Sequence, residues 1–214
     1  RDAAARLVRN ELGIPDDHVV VTNVANLFRT KGLMEFVEAA AIVLNRYRNV
    51  TFLLVGRDGG ISGELLERAR SLGIGDRVLW LGARSDVANI LNDSDIQVLS
   101  SYAEGFSNAI LEGMACSLPI VATRVGGNAE AVEEGRTGLI VPPKDSGALA
   151  EALLRLVPDR ALRAAMGECG RLRVEELFTI NQMAAGYMKL YSELLGEPWR
   201  MENGGERLSA EAGR

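Results

Sequence analysis

The chain has 214 residues, and its 47% hydrophobic and 25% charged residues are typical of a globular domain. This length suggests one domain, or one domain with a small appendage. The net charge of −5 argues against broad nucleic-acid binding, which usually requires a basic surface. No hydrophobic run approaches the roughly 18 residues of a membrane span, and the two cysteines provide no disulfide framework, so we expect a cytoplasmic protein.

The chain begins with residues 1–12, which resemble the middle of a helix, so a fragment of a longer protein is expected. A breaker cluster at residues 13–17 then ends this helix. Six β-branched or apolar runs are predicted as strands, at residues 18–25, 50–55, 77–81, 96–99, 119–122 and 138–141. Helical patterns separate them at residues 32–47, 64–72 and 86–91, and another helix starts near Ser107.

This alternation of strands and helices predicts an α/β fold, a Rossmann-like doubly wound parallel sheet of about six strands with helices on both faces. Beyond residue 143 only helices are predicted, at residues 146–156, 160–177 and 180–195, and the last of them is amphipathic. The polar, glycine-containing segment 197–214 is expected to be a disordered tail.

The segment SSYAEGFSNAILEGMA, residues 100–115, directly follows the apolar strand predicted at residues 96–99. In open parallel sheets, ligands bind beyond the carboxyl ends of the strands, at joints of this kind. Gly105 allows a ligand to approach the backbone, and Ser107 can cap the helix or donate its hydroxyl. The first turn of that helix has unpaired N–H groups and a partial positive charge, which attract phosphate. The segment therefore predicts an anion site.

Two carboxylates flank this anion site. Glu104 lies in the loop, and Glu112 lies eight positions later on the helix, one turn after Asn108. Carboxylates are good acceptors for sugar hydroxyls, so a phosphate site between them indicates a nucleotide sugar. A solvated helix face is the alternative, but Glu112 lies between Leu111 and Met114 on a mostly apolar helix, where a carboxylate should have a partner.

The stretch from Glu104 to Glu112 matches the E-x7-E signature of retaining glycosyltransferases with the GT-B fold, and the surrounding EGFSNAILEGMA resembles family 4 almost position for position. The resemblance covers residues 19–195. It implies the C-terminal, donor-binding half of a GT-B enzyme, here residues 1–196, with the acceptor-binding N-terminal half absent from this chain. It also implies sugar transfer from a nucleotide diphosphate sugar, with retention and without a metal or another cofactor, and little or no activity of this half alone.

The same resemblance implies a role for each residue of the motif. Glu112 binds the ribose hydroxyls, and Glu104 binds the hydroxyls of the transferred sugar. Backbone N–H groups of Phe106, Ser107 and Asn108 bind the pyrophosphate. UDP is the favoured nucleotide and GDP the second, and the donor phosphate itself assists attack by the acceptor on the same face of the sugar.

A basic turn follows the first predicted strand and opens on the same edge of the sheet as Glu104. Its cations, Arg29 and Lys31, can neutralise a pyrophosphate and its leaving-group charge. The family has a lysine before a glycine here, which Lys31-Gly32 matches, and usually an arginine five positions before that lysine, where this chain has Asn26. Arg29 can substitute from the same loop. Two solvated loop cations are the alternative.

Three further loops resemble segments of the family. Residues 56–60 resemble its VGxGP turn, where Gly56 allows a ligand to approach, although an ordinary tight turn explains the segment equally well. Residues 81–87 match a segment whose backbone meets the nucleobase, and Arg84 can stack on or flank that base; a strand followed by a helix cap gives the same pattern. Residues 125–130 resemble a GGxxE segment whose glycines pack close to the donor sugar.

Other chemistry has little support in the sequence. His18 is the one histidine of the chain and is expected at the surface, which argues against histidine-based catalysis. The two cysteines, Cys116 and Cys169, lack the spacing of a metal site.

Two alternatives to a transferase remain open. The first is a non-catalytic nucleotide-sugar-binding module, or a subunit of a split enzyme, and the departure at Asn26 keeps it open. The second is a GT-B sugar-nucleotide epimerase, which the family-4-like motif disfavours. Many relatives use lipid-linked acceptors, so peripheral attachment at the inner face of the membrane is compatible with the full-length protein.

Overall fold

A computed structural model of the protein describes residues 7–196 and contains one six-stranded parallel sheet within them. The strands are Val19–Val24 (β1), Val50–Val55 (β2), Val78–Trp80 (β3), Ile96–Leu99 (β4), Ile120–Thr123 (β5) and Gly138–Val141 (β6). Their order across the sheet is β3-β2-β1-β4-β5-β6. The predicted Rossmann-like α/β fold is therefore confirmed, and the predicted strand ends differ from the observed ones by one residue at β1, β3 and β5.

The sheet reverses its direction of winding between β1 and β4. These two strands are neighbours, with Val21 beside Ile96 and Asn23 beside Val98, although β2 and β3 lie between them in the sequence. Connections to the left and right of this pair run in opposite directions, which leaves a crevice at the carboxyl ends of β1 and β4. The loops that follow these two strands are therefore the ones placed to bind a ligand.

Helices lie in each connection between successive strands, and others precede β1 and follow β6. They are Leu7–Glu11 (α1), Leu33–Arg46 (α2), Ser62–Ser71 (α3), Val87–Asn92 (α4), Asn108–Ala115 (α5), Asn128–Ala131 (α6), Ser146–Leu156 (α7), Arg160–Leu177 (α8) and Ile180–Leu195 (α9). A single 3-10 turn at Arg29–Lys31 precedes α2. Neither α6 nor this turn is predicted from the sequence, because segments of four and three residues are too short to show a hydrophobic period.

Both faces of the sheet are buried under helices. On one face, Val21 of β1 and Phe52 of β2 belong to the same core cluster as Phe36 of α2, whose ring meets Phe52 edge-on at 5.6 Å between centroids. On the other face, Val20 of β1 packs in a cluster with Val8 of α1. Successive side chains of a strand point to opposite faces, so a strand that is covered on both faces favours apolar residues at successive positions. This explains the continuous apolar runs in the sequence.

The loops around the central crevice have a core of their own beneath them. Leu99 at the end of β4, Ile110 and Met114 on α5, and Ile120 on β5 form a separate buried cluster. The apolar face of α5 is thus held against the sheet, and this fixes the helix whose amino end borders the crevice.

The expectation that His18 lies at the surface is wrong. The residue is only 8% exposed, and its Nδ1 lies 2.9 Å from the Thr51 hydroxyl of the neighbouring strand. The Arg77 guanidinium also approaches the ring, and burial, followed by the Arg77 charge, lowers the pKa of His18. His18 directly precedes β1, so it lies at the amino ends of the strands, away from the crevice.

The chain divides into two compact units, residues 1–176 and residues 177–214, of which the structure describes 7–176 and 177–196. The second unit consists chiefly of α9, which begins with a capping box between Thr179 and Gln182. Within residues 7–196 no helix is long and apolar enough to cross a membrane. The predicted tail at residues 197–214 lies outside the described part of the chain, as do residues 1–6.

Candidate functional site

The loops after β1 and β4 are bound to each other at the crevice. The backbone N–H of Tyr102 donates to the carbonyl of Thr30 at 2.7 Å, and the Ser100 hydroxyl donates to the carbonyl of Lys31 at 2.9 Å. From β1, the side-chain amide of Asn23 donates to the Ser100 hydroxyl at 3.2 Å. These bonds fix the backbone on both sides of the crevice.

Gly32 allows the two loops to approach this closely. It has a left-handed conformation with φ of 60°, and a Cβ at this position would lie 1.9 Å from the carbonyl oxygen of Ser100. No other residue fits without moving one of the loops. The pair Lys31-Gly32 therefore has a steric reason in addition to the charge of Lys31.

The side chains of Lys31 and Glu104 meet across the crevice. The Lys31 ammonium lies 2.6 Å from Glu104 Oε1, and the two side chains are 26% and 13% exposed. The hydroxyl of Ser101 donates to the same oxygen at 2.6 Å. Glu104 Oε2 has no hydrogen bond from any described residue, so it remains open to a ligand.

A glycine turn supports the backbone of Glu104. Gly126 has φ of 49°, and a Cβ there would lie 1.9 Å from the carbonyl oxygen of Glu104. The next residue, Gly127, donates its N–H to the carbonyl of Gly105 at 2.6 Å. The GGxxE segment thus packs directly on the loop of the E-x7-E motif, and the packing of its glycines near a donor sugar stays a prediction.

The amino end of α5 borders the same loop. Ser107 occupies the N-cap position with an extended backbone, but its hydroxyl makes no capping bond. Of its two predicted roles the side-chain cap is therefore not formed, and donation of the hydroxyl to a ligand stays a prediction. Gly105 and Phe106, which precede it, are exposed. The backbone N–H groups of the first helical turn, which starts at Asn108, have no carbonyl of the same helix to bind and can donate to an anion.

Glu112 lies one turn further along α5 and is exposed together with Asn108. The surrounding protein buries enough of the Glu112 side chain to raise the pKa of its carboxyl. No described residue donates a hydrogen bond to that carboxylate, so the predicted partner is left for a ligand to provide and stays a prediction. A carboxylate that is desolvated in part and left without a partner is well placed to accept hydroxyls from a ligand.

Arg29 does not join Lys31 at Glu104. It is 73% exposed and forms a forked pair with Glu64 at the start of α3, with distances of 3.1 and 2.6 Å. Asn26, which stands where the family usually has arginine, accepts the backbone N–H of Arg57 through its Oδ1 at 3.1 Å. Of the cations predicted for the pyrophosphate, the structure therefore brings only Lys31 to the motif.

Gly56 directly follows β2 and lies close to Ala25, which directly follows β1. A Cβ on Gly56 would lie 2.0 Å from the carbonyl oxygen of Ala25, and the Gly56 carbonyl accepts the indole N–H of Trp80 at 3.0 Å. The following Asp58 accepts three backbone N–H groups from residues 60–62 and the hydroxyl of Ser62. These bonds lower the pKa of Asp58, and the bond from the Ser62 hydroxyl contributes most to this shift. They also close the loop at the start of α3.

Arg84 is held by two carboxylates. Its guanidinium donates to both oxygens of Asp86, at 2.7 and 2.8 Å, and to both oxygens of Glu11 on α1, at 2.7 and 2.9 Å. The bonds to Asp86 and then to Glu11 raise the pKa of Arg84, and the bond from Arg84 lowers the pKa of Glu11. Arg84 thus fastens α1 to the loop after β3.

A cleft of about 230 Å³ lies beside the basic turn and is lined in part by Arg29, Glu64 and Tyr102. The Tyr102 hydroxyl donates to the carboxylate of Glu35 at 2.6 Å, and burial, followed by this carboxylate, raises the pKa of Tyr102 to about 12. The ammonium of Lys144 lies 5.1 Å from the centre of the Tyr102 ring. Within residues 7–196, no group of three or more histidine, cysteine, aspartate or glutamate side chains is arranged to hold a metal.

Three residues of this site are not predicted from the sequence. Asn23 reads as part of a buried strand, and Ser100 and Ser101 read as polar loop residues. The one available signal is their position, because all three lie at the ends of the two strands that flank the crevice.

Comparisons with known proteins show which family the chain belongs to. The family model described as glycosyl transferases group 1 matches residues 5–173. The chain belongs to this family. N-acetyl-alpha-D-glucosaminyl L-malate synthase from Bacillus anthracis is 33% identical over 188 residues, which are 88% of this chain and 49% of the relative.

Two solved structures of glycosyltransferase chains resemble this member of the glycosyl transferases group 1 family. The structure of Anabaena HepE in complex with UDP and glucose has a TM-score of 0.80 and 28% identity, covering 89% of this chain and 53% of HepE. The C-terminal domain of the group 1 protein LpcC from Francisella tularensis has a TM-score of 0.76 and 25% identity, covering 84% of this chain and 95% of that domain. The chain spans about half the length of the curated relatives it matches.

Proposed function

We propose that this chain is the donor-binding half of a retaining GT-B glycosyltransferase, which transfers a sugar from a nucleotide diphosphate sugar to an acceptor. The observation that carries the proposal is the contact between Lys31 and Glu104, at the point where the sheet reverses its winding and beside the amino end of α5. This contact brings a cation, a carboxylate and a helix N-terminus to one place. A cation and a helix N-terminus favour a diphosphate, and a carboxylate accepts sugar hydroxyls, so together they suit a sugar diphosphate.

The diphosphate is bound by Lys31 and by the backbone N–H groups of Phe106, Ser107 and Asn108. The helix N-terminus supplies a fixed partial positive charge, and Lys31 supplies a full one. Arg29 joins them by exchanging Glu64 for a phosphate. This exchange costs little, because the Arg29–Glu64 pair is exposed and such pairs are weak.

The nucleoside lies along α5 and the ends of β2 and β3. Glu112 accepts the ribose hydroxyls, which its unpartnered carboxylate supports. Gly56 and Asn26 border the ligand, and Arg84 flanks the base from its position between Asp86 and Glu11. UDP is the first choice of nucleotide, supported by the resemblance to HepE, and GDP is the second.

The transferred sugar binds the open oxygen of Glu104, which places its anomeric carbon next to the diphosphate. Lys31 and the fixed dipoles of α5 stabilise the charge that develops on the leaving phosphate, without a metal ion. The acceptor attacks the same face of the sugar with assistance from the donor phosphate, so the configuration is retained. Retention and metal independence follow from the family motif and are part of the proposal.

The acceptor is bound by an N-terminal half outside this chain. The chain spans only about half the length of each curated relative, and this supports an acceptor-binding half outside the chain. A cytoplasmic location belongs to the same proposal, with contact to the inner face of the membrane through the full-length enzyme where the acceptor is linked to lipid.

A non-catalytic donor-binding module is the second candidate. Asn26 in place of the usual arginine favours it, as does the pairing of Arg29 with Glu64, because both reduce the positive charge at the diphosphate. Such a module binds donor but remains inactive when joined to an acceptor-binding half.

The test is calorimetric titration of the chain with UDP, GDP and ADP and with their glucose conjugates, in the presence of EDTA. We expect one nucleotide to bind, and Lys31→Ala and Glu112→Ala each to weaken binding by about tenfold or more, because each removes a contact to a charged group. Lys189→Ala, which removes an exposed cation on α9, is the matched control and leaves affinity unchanged.

Binding that requires a divalent metal would contradict the metal-independent mechanism. Absence of binding by every nucleotide, or equal binding by the wild type and both site variants, would contradict the proposed donor site.

A further inference from the structure

Glu104 depends on a buried hydroxyl for its position. Ser101 is fully buried, two residues after the end of β4, and its hydroxyl donates to Glu104 Oε1 at 2.6 Å. A buried hydroxyl bound to a carboxylate makes a charge-assisted hydrogen bond, which is short and stronger than a neutral one. The bond restrains the rotation of the Glu104 side chain and leaves Oε2 as the oxygen that faces a ligand.

Ser101 is itself held from the neighbouring strand. The hydroxyl of Thr123, the last residue of β5, donates to the carbonyl of Ser101 at 2.6 Å. The side-chain amide of Asn128 on α6 donates to the carbonyl of Thr123 at 3.0 Å. Thr123 and Asn128 are buried, so water does not compete for these bonds. This chain of bonds ties the position of Glu104 to β5 and α6.

Lys31 alone does not fix Glu104 in the same way. The two groups share the oxygen Oε1, but Lys31 has a long flexible side chain and is the group that a diphosphate attracts. Once a diphosphate is bound, the Lys31 charge is shared between phosphate and carboxylate. Ser101 has no such competitor, so it remains the fixed partner of Glu104 while donor is present.

We propose that Ser101 is a positioning residue, which orients Glu104 for recognition of the sugar part of the donor. The inference rests on the proposed function, because it takes Glu104 as the sugar-binding carboxylate. Ser101 itself does not touch the donor. Removing its hydroxyl therefore affects recognition of the sugar and leaves recognition of the nucleotide unchanged.

The experiment is a double-mutant cycle with Ser101→Ala, Glu104→Ala and the double variant. Calorimetry measures the Kd of UDP-glucose and of UDP for each protein, or of GDP-mannose and GDP if the chain prefers guanine. We expect Ser101→Ala to weaken UDP-glucose binding by about tenfold and to leave UDP binding unchanged. In the Glu104→Ala background, Ser101→Ala should have no further effect, because its partner is already absent.

Ser94→Ala is the matched control. Ser94 is another fully buried serine, at the opposite end of β4, where its hydroxyl lies 2.6 Å from that of Thr22 and donates to the carbonyl of Ile90. Its loss should lower the melting temperature about as much as Ser101→Ala does, and it should leave the affinity ratio of UDP-glucose to UDP unchanged. A general loss of stability is thereby separated from a loss of positioning.

The proposal is overturned if Ser101→Ala weakens UDP and UDP-glucose equally, or if its effect persists in the Glu104→Ala background. If the wild-type chain binds no nucleotide, the proposed function fails, and crystal structures of the unliganded wild type and Ser101→Ala decide the role of Ser101. An unmoved Glu104 carboxylate in the variant then refutes positioning, and a displaced carboxylate supports it.

Discussion

Lys31 and Glu104 neutralise each other where water has limited access, since the two side chains are 26% and 13% exposed. Breaking a largely buried pair leaves one charge without a partner, which costs more than the pair contributes when intact. Substitution of either residue therefore disturbs the other. Glu112 differs, because it already lacks a partner, and partial burial makes its charge unfavourable to the folded chain.

Glu112→Gln is expected to separate stability from binding. The raised pKa of Glu112 means that protonation favours the folded state, and this contribution is lost as the pH rises from below the ordinary value of 4.5 through the raised value. The variant has no charge at position 112 at any pH. Its melting temperature relative to wild type should therefore be higher at pH 7 than at pH 4, as measured by calorimetry.

The same variant should bind nucleotide about tenfold more weakly, because an amide replaces a charged acceptor of the ribose hydroxyls. Glu151→Gln, at an exposed position of α7, is the control and should keep full affinity. A Glu112→Gln chain that binds nucleotide as well as wild type would remove Glu112 from the site.

At the scale of elements, the site is built from loops that touch through their backbones. The basic turn before α2 contacts the loop after β4 at Gly32, and the turn before α6 contacts the same loop at Gly126. Arginines of α8 stabilise the ends of neighbouring helices, since Arg171 donates to the last carbonyl of α5 and Arg173 to that of α6. The position of Glu104 therefore depends on three loops and not on its own segment alone.

Gly126→Ala should displace the Glu104 loop. The new Cβ would lie 1.9 Å from the Glu104 carbonyl oxygen, at a φ of 49° that alanine rarely adopts. We expect a loss of about 2 kcal/mol in the free energy of unfolding, measured by urea denaturation, and weaker binding of UDP-glucose.

Gly63→Ala is the control for this substitution. Gly63 lies on α3 with open space around its Cβ position, so alanine there should stabilise the chain by about 0.5–1 kcal/mol. Equal stability of the Gly126→Ala and Gly63→Ala chains would show that the glycine turn does not constrain the loop.

At the scale of the whole molecule, the proposed donor site lies at one edge of the sheet, and the chain covers about half of each curated relative. A sugar transfer needs the acceptor held against the donor in reacting geometry, which accounts for a large part of the rate of two-substrate enzymes. The proposed function therefore predicts that recognition of the donor and transfer to an acceptor are separable in this protein.

We expect the isolated chain to bind donor and to release no measurable UDP from UDP-glucose in the presence of acceptor. Transfer should appear when an acceptor-binding half is joined in the same polypeptide, as followed by a coupled assay for UDP. Efficient transfer by the chain alone would contradict the prediction that transfer requires an acceptor-binding half. A complete protein that binds donor but transfers no sugar would favour the non-catalytic module.

The sequence by itself determined the sheet, most of the helices and the family. Hydrophobic periodicity is a local property, so the strands at residues 50–55, 96–99 and 138–141 are predicted with their observed bounds. The motif from Glu104 to Glu112 is likewise contained in a single strand–loop–helix segment. Features that depend only on neighbours along the chain can therefore be predicted from the sequence alone.

Only the tertiary structure decided which charges meet. Arg29 pairs with Glu64, 35 residues away, and Arg84 pairs with Glu11, 73 residues away. The order and register of the strands set these partners, and a linear pattern contains neither. The same is true of Ser101, whose role depends on β4 and β5 lying side by side, because hydrogen bonds require contact in space between groups that are distant along the chain.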